Sequence, residues 1–144
     1  MNIALKRLGL SILVISCLIF SATSPALADN KKVVLQISDD SLSKQTLVLN
    51  VADNLKSAYG DKIDLEIVAF GPGLKMMLKG RENSKRLTSL SKNNVRLSAC
   101  RNTGMKMAKM LDKEIQIEQG VDYVDGGAGR IVELVEQGYV LIRP

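Results

Sequence analysis

Short apolar runs alternating with longer stretches of helical periodicity constrain this chain more than any other feature. Residues 31–37 are apolar on both faces, as in a buried parallel strand. Residues 42–59 then place Leu42, Leu47, Val51, Leu55, Ala58 and Tyr59 on one broad helical face, and Gly60-Asp61 stops the helix. A second strand is predicted over 63–70, broken by Gly71-Pro72-Gly73. A short helix or turn over 74–79 and a more polar helix over 84–92 follow. Val95, Leu97 and Ala99 alternate with polar residues as a third strand. Asn102 and Thr103 are helix N-cap types, and a helix is predicted through 105–110. Residues 115–117 read as a turn or a short extended piece. A weak fourth strand (121–124), a helix (130–137) opened by Gly126-Gly127-Ala128-Gly129, and a last strand (139–143) complete the pattern. Strands alternating with helices predict an α/β fold: a three-layer sandwich around a mostly parallel sheet.

The first 28 residues read differently. Lys6 and Arg7 precede an apolar run over 8–20, and Ala26-Leu27-Ala28 fits a small-x-small cleavage site. The run is shorter than the ~20 residues that span a bilayer. A signal peptide over 1–28, cut after Ala28, is therefore expected, with one domain over 29–144 in the periplasm or outside the cell. The mature chain would have no membrane span. Cys17 follows Val14-Ile15-Ser16, which loosely resembles a lipoprotein box, but Leu18-Ile19-Phe20 continue the apolar run and suit cleavage after Ala28 better.

Loss of Lys6 and Arg7 reduces the net charge from +5 to about +3. The basic residues are scattered, and the whole chain has only 3 Tyr and 2 Phe. A nucleic-acid surface with stacking platforms is not expected. Histidine is absent. That removes the Ser-His and Cys-His pairs and the commonest zinc ligand, and no cofactor or metal is expected.

Cys17 would leave with the leader, so Cys100 would be the one mature cysteine. It is either a buried small apolar residue, a reactive thiol or an intermolecular bridge. Its position argues for chemistry: the carboxyl end of a strand, just before a helix N-terminus, is where ligands collect in open α/β sheets. The free N–H groups and positive dipole end of that helix favour a thiolate. Arg101 and Lys106 flank it in sequence and add positive charge. Such a role needs the sulfur to be reachable from solvent.

The other motifs carry less. Asp39 and Asp40 lie at the same sheet edge as an acid–base pair or as helix caps, with capping the better reading. Gly126-Gly127-Ala128-Gly129 lacks dinucleotide spacing and the Lys-Ser/Thr of a P-loop, and reads as a turn near a ligand. Met76, Met77, Met105, Met107 and Met110 are core filler or, with Cys100, a thioether set for Cu(I).

Cys100-Arg101-Asn102-Thr103 after a short apolar strand resembles the Ala-Cys-x-Asn-Thr segment of the DsrE/DsrF-like family. Gly138-Tyr139-Val140-Leu141-Ile142-Arg143-Pro144 is similar to the Gly-Tyr-x-x-Ile-x-Pro close of its small single-domain branch. The Val68-Ala69-Phe70-Gly71-Pro72-Gly73 corner and Asn54 also fit, and the resemblance covers residues 31–144. It implies a five-stranded α/β sandwich assembled into a homo-oligomer, a trimer or hexamer. It implies that Cys100 occupies the sulfur-handling position, accepting a persulfide from a donor and passing it to an acceptor protein. Asn102 and Thr103, with Arg101 and Lys106, would then stabilise the thiolate or hold the substrate. The alternative reading is a non-enzymatic oligomeric module that binds a small ligand or a partner.

Overall fold

The computed structural model describes residues 30–144, so the expected leader and Cys17 lie outside the described residues. Five strands, Lys31–Ile37 (β1), Ile63–Ala69 (β2), Val95–Cys100 (β3), Val121–Val124 (β4) and Val140–Ile142 (β5), pair in the order β4-β3-β2-β1-β5. Every pairing is parallel. The α/β sandwich that the alternation predicts is present, and its sheet is wholly parallel.

Chain direction decides which face each helix covers. Helices Leu42–Tyr59 (α1), Ser84–Lys92 (α2) and Arg101–Leu111 (α3) connect strands that step one way across the sheet, from β1 to β4. Right-handed crossovers then put all three on one face. Helix Gly127–Glu136 (α4) carries the chain back from β4 to β5, in the opposite direction, and so lies on the other face. Packing agrees. Val33, Leu35, Leu65, Ile67, Leu97 and Ala99 share the larger core with α1 and α2 residues. Val34 and Val68, the alternate residues of β1 and β2, pack against Ile131 and Leu134 of α4.

Three local details refine the sequence pattern, and the last departs from it. Residues Gly71–Met77 form a 3-10 turn where a short helix or turn was expected over 74–79. Gly73 can be nothing larger there, since a Cβ would stand 2.6 Å from the Ile37 carbonyl oxygen. Ile117 forms an antiparallel bridge with Leu78, the extended alternative of the two expected. Helix α3 begins at Arg101, and Cys100 is its N-cap residue. Thr103 does not cap the helix; its hydroxyl accepts the Gly71 N–H at 3.0 Å instead.

Asp39 and Asp40 serve the turn before α1. The Asp39 carboxylate accepts the Ser41 N–H at 2.7 Å, Ser41 is the N-cap, and Asp40 pairs with Lys75 at 2.6 Å. Among the described residues no helix is long and apolar enough to cross a membrane.

Candidate functional site

The chain reverses direction across the sheet at the carboxyl ends of β3 and β4. From β3 the chain leaves toward one face as α3, and from β4 toward the other as α4. That divergence is a topological switch point, the crevice where α/β sheets bind ligands. Cys100 is the last residue of β3, paired in register with Val124 of β4. Its side chain alternates onto the α4 side with Arg96 and Ser98. Two helix N-termini therefore flank one sulfur.

The sulfur's surroundings are polar although it is nearly buried, with 5% of the residue exposed. The Thr103 hydroxyl and the backbone N–H groups of Gly127, Thr103 and Asn102 lie near enough to favour its anion, while the Asn102 N–H itself donates to the Asp125 carbonyl at 3.3 Å. Burial is the largest single influence and pushes the thiol up. The hydroxyl and the three amides together outweigh it, so the Cys100 pKa is held below the usual thiol value. The reachability that sulfur chemistry needs is thus narrow.

Of the residues singled out in the sequence, Asn102 and Thr103 lie in the first turn of α3 beside the sulfur and favour its anion. Arg101 turns away: it pairs with Asp125 at 3.3 Å and lies 5.4 Å from the centre of the Tyr123 ring. Lys106 is six residues along α3, about 9 Å up the axis at 1.5 Å per residue. It lines a groove of about 540 Å³ whose walls also include Gly71, Pro72, Thr103, Met107 and Met110. The methionines do not gather around the thiol. Met76 and Met77 are fully buried in the larger core, on the sheet face opposite Cys100, while Met105 and Met110 are exposed on α3.

Gly127 is a site residue that the motif reading left as a turn. It opens α4, and a Cβ on it would stand 2.7 Å from Phe70 Cβ. Gly127→Ala is therefore expected to push the helix start off β2. The expected loss is about 1–3 kcal/mol, the usual range for overpacking, read as a lower denaturation midpoint.

Two pleats below the sulfur, at the level of Arg96, lies a charge cluster that the sequence pattern does not reveal. Glu66 is fully buried on β2. Its carboxylate accepts Arg130 Nε and a terminal guanidinium nitrogen of Arg130 at 2.8 Å each, Ser98 Oγ at 2.7 Å and Arg96 Nε at 3.0 Å. Arg96 also reaches Asp64 at 2.9 Å and donates to the Tyr139 hydroxyl, which in turn donates to Asp64. In sequence nothing sets Glu66 apart from Asp64 two residues earlier, and the register alone brings the cluster together.

Comparison with solved structures places the fold. MTH1491, a protein of unknown function from Methanobacterium thermoautotrophicum, is 30% identical with a TM-score of 0.72, over 79% of this chain and 99% of that one. The chain belongs to the same family as MTH1491. Two further structures share the fold: the ychN protein of E. coli (14% identity, TM-score 0.64, 80% of this chain and 99% of that one) and BT1422 of Bacteroides thetaiotaomicron, a conserved protein of unknown function (13%, 0.58, 83% and 99%). The MTH1491 family and these two share the DsrE-like α/β sandwich. No protein-family model and no curated protein matches the sequence.

Proposed function

We propose that this protein is an exported, oligomeric DsrE-like sulfur carrier, with Cys100 as the persulfide site. The observation that supports the reading is the position of that sulfur at the carboxyl end of β3, between the amino ends of α3 and α4, with Thr103 and Gly127 among the groups that favour its anion. With no histidine in the chain, no imidazole takes the thiol proton, so the thiolate must be preformed. The Cys100 thiolate attacks the outer sulfur of a persulfide R–S–SH. A sulfur–sulfur bond forms to Cys100 as the donor's bond breaks. R–S⁻ leaves with the bonding pair, and Cys100 keeps –S–SH with no net oxidation. Release to an acceptor thiolate is the same exchange in reverse. Thr103 lines the same groove as Lys106, whose charge suits an anionic donor or acceptor.

Incubation with glutathione persulfide, followed by intact-mass measurement, tests this reading. A gain of one sulfur atom, removed by reductant, is the expected result; an unchanged mass over a range of donor concentrations overturns it. A binding module is the second reading, favoured by the 5% exposure of Cys100 and by the bare apolar side chains of Met105, Met110 and Leu111. Such patches mark interaction surfaces. A protein that takes up no sulfur yet self-associates through that patch would support it.

A further inference from the structure

The arginine–glutamate cluster lies two pleats beneath the thiol, on the same side of the sheet, with Ser98 between them. Arg96, Ser98 and Cys100 follow one another along that side of β3, and Glu66 stands beside Arg96 on β2. Arg130 lies three residues past Gly127, one turn into α4. Its guanidinium binds both oxygens of Glu66. We infer that Glu66, acting through Arg130, is a positioning residue for Cys100: the ion pair fixes the first turn of α4, which starts beside the carboxyl end of β3, so that the amino end of that helix stays close to the sulfur. This inference rests on the reading of Cys100 as a working thiolate.

Helix α4 is held weakly by other means. Among the described residues it is the one helix on its face, and its buried apolar side chains are Ile131 and Leu134. The contact of Gly127 with Phe70 sets the distance of the helix start from β2, but a glycine against a ring does little to fix axial position or rotation. A planar fork on a carboxylate fixes both, because its two parallel hydrogen bonds tolerate little displacement. The carboxylate is itself immobile: it is fully buried, and Ser98 and Arg96 of β3 donate to it as well. Such clusters add little net stability but can specify geometry.

The charges around the sulfur make this separable from simple electrostatics. Arg101 and Lys106 belong to α3, Asp122 and Asp125 to β4 and the loop after it, Glu66 to β2, and Arg130 and Glu133 to α4. Removing the negative charge of Glu66 would by Coulomb's law lower the thiol pKa. Losing the Gly127 donor would raise it. The two mechanisms predict opposite signs for Glu66→Gln.

The test is the pH profile of Cys100 alkylation in the full folded protein, with circular dichroism as the fold check. Wild type should titrate below the free-thiol value of about 8.5, and Glu66→Gln should move the midpoint up by roughly one unit, the scale of a lost helix-terminus contact. Arg130→Lys keeps the charge without the fork and should also titrate higher than wild type. It serves as the second variant if Glu66→Gln fails to fold. A midpoint in Glu66→Gln that is unchanged or lower overturns the inference while leaving the thiolate reading intact. Full retention of the wild-type midpoint by Arg130→Lys overturns it as well. A wild-type midpoint at or above 8.5 overturns both.

Discussion

Replacing Glu66 with alanine is expected to lower stability by about 3–5 kcal/mol, the range for breaking a buried ion pair from one side. For a domain of this size that is a fall in Tm of the order of 10–20 °C. Four donated hydrogen bonds end on that carboxylate. Without it, the buried Ser98 hydroxyl and the faces of Arg96 and Arg130 turned into the sheet lose their acceptor. Thermal and urea denaturation would measure the effect. A change below 1 kcal/mol would mean that water or Asp64 replaces the lost acceptor.

The same carboxylate gives stability a pH dependence of known sign. Burial, the largest influence, pushes the Glu66 pKa up. Hydrogen bonds from Arg130 and Ser98, and the charges of Arg130 and Arg96, outweigh it and hold the pKa below the ordinary glutamate value of about 4.5. A lowered acid binds fewer protons folded than unfolded. Its contribution is therefore present above about pH 4.5 and is lost as the pH falls through the folded value. Wild type should lose stability more steeply than Glu66→Ala below that point.

Cys100→Ala is expected to abolish sulfur uptake from glutathione persulfide completely, since Cys100 is the one cysteine of the described residues. Intact mass after incubation would stay that of the unloaded chain. The variant should still fold. Alanine removes one sulfur from a site already bordered by polar donors, and the core of both faces is untouched. Cys100→Ser refines the result: its hydroxyl keeps a partner for Thr103 and the amides but has no thiolate to offer. Uptake that survives in either variant would place the acceptor atom elsewhere and remove Cys100 from the proposed function.

What the sequence discloses follows from how local each feature is. The strands are visible because Val33–Ile37, Leu65–Ala69 and Val95–Ala99 carry their apolar character within a few consecutive residues, bounded by Gly, Asn or Pro. The switch point is visible at one remove, since the element order with the right-handed rule nearly dictates it. The start of α3 is less so: Thr103 looks like a cap by type, yet its hydroxyl is used by Gly71, 32 residues earlier. The Glu66 cluster is invisible because it depends on register. Glu66 and Arg96 are neighbours only through the pairing of β2 with β3, and Arg130 is 64 residues from its partner. For the same reason Arg101 looked like a neighbour of the thiol, although Asp125 and Tyr123 draw it away.

β5 is three residues long, yet among the described residues it is all that flanks β1 on that side of the sheet. Five consecutive residues of β1, Val33 to Ile37, are buried. Trimming residues 139–144 would convert that interior ribbon into a bare template of unpaired N–H and C=O groups, flat and greasy enough to recruit another chain. The shortest strand of the fold is thus its guard against fibrils and precipitates.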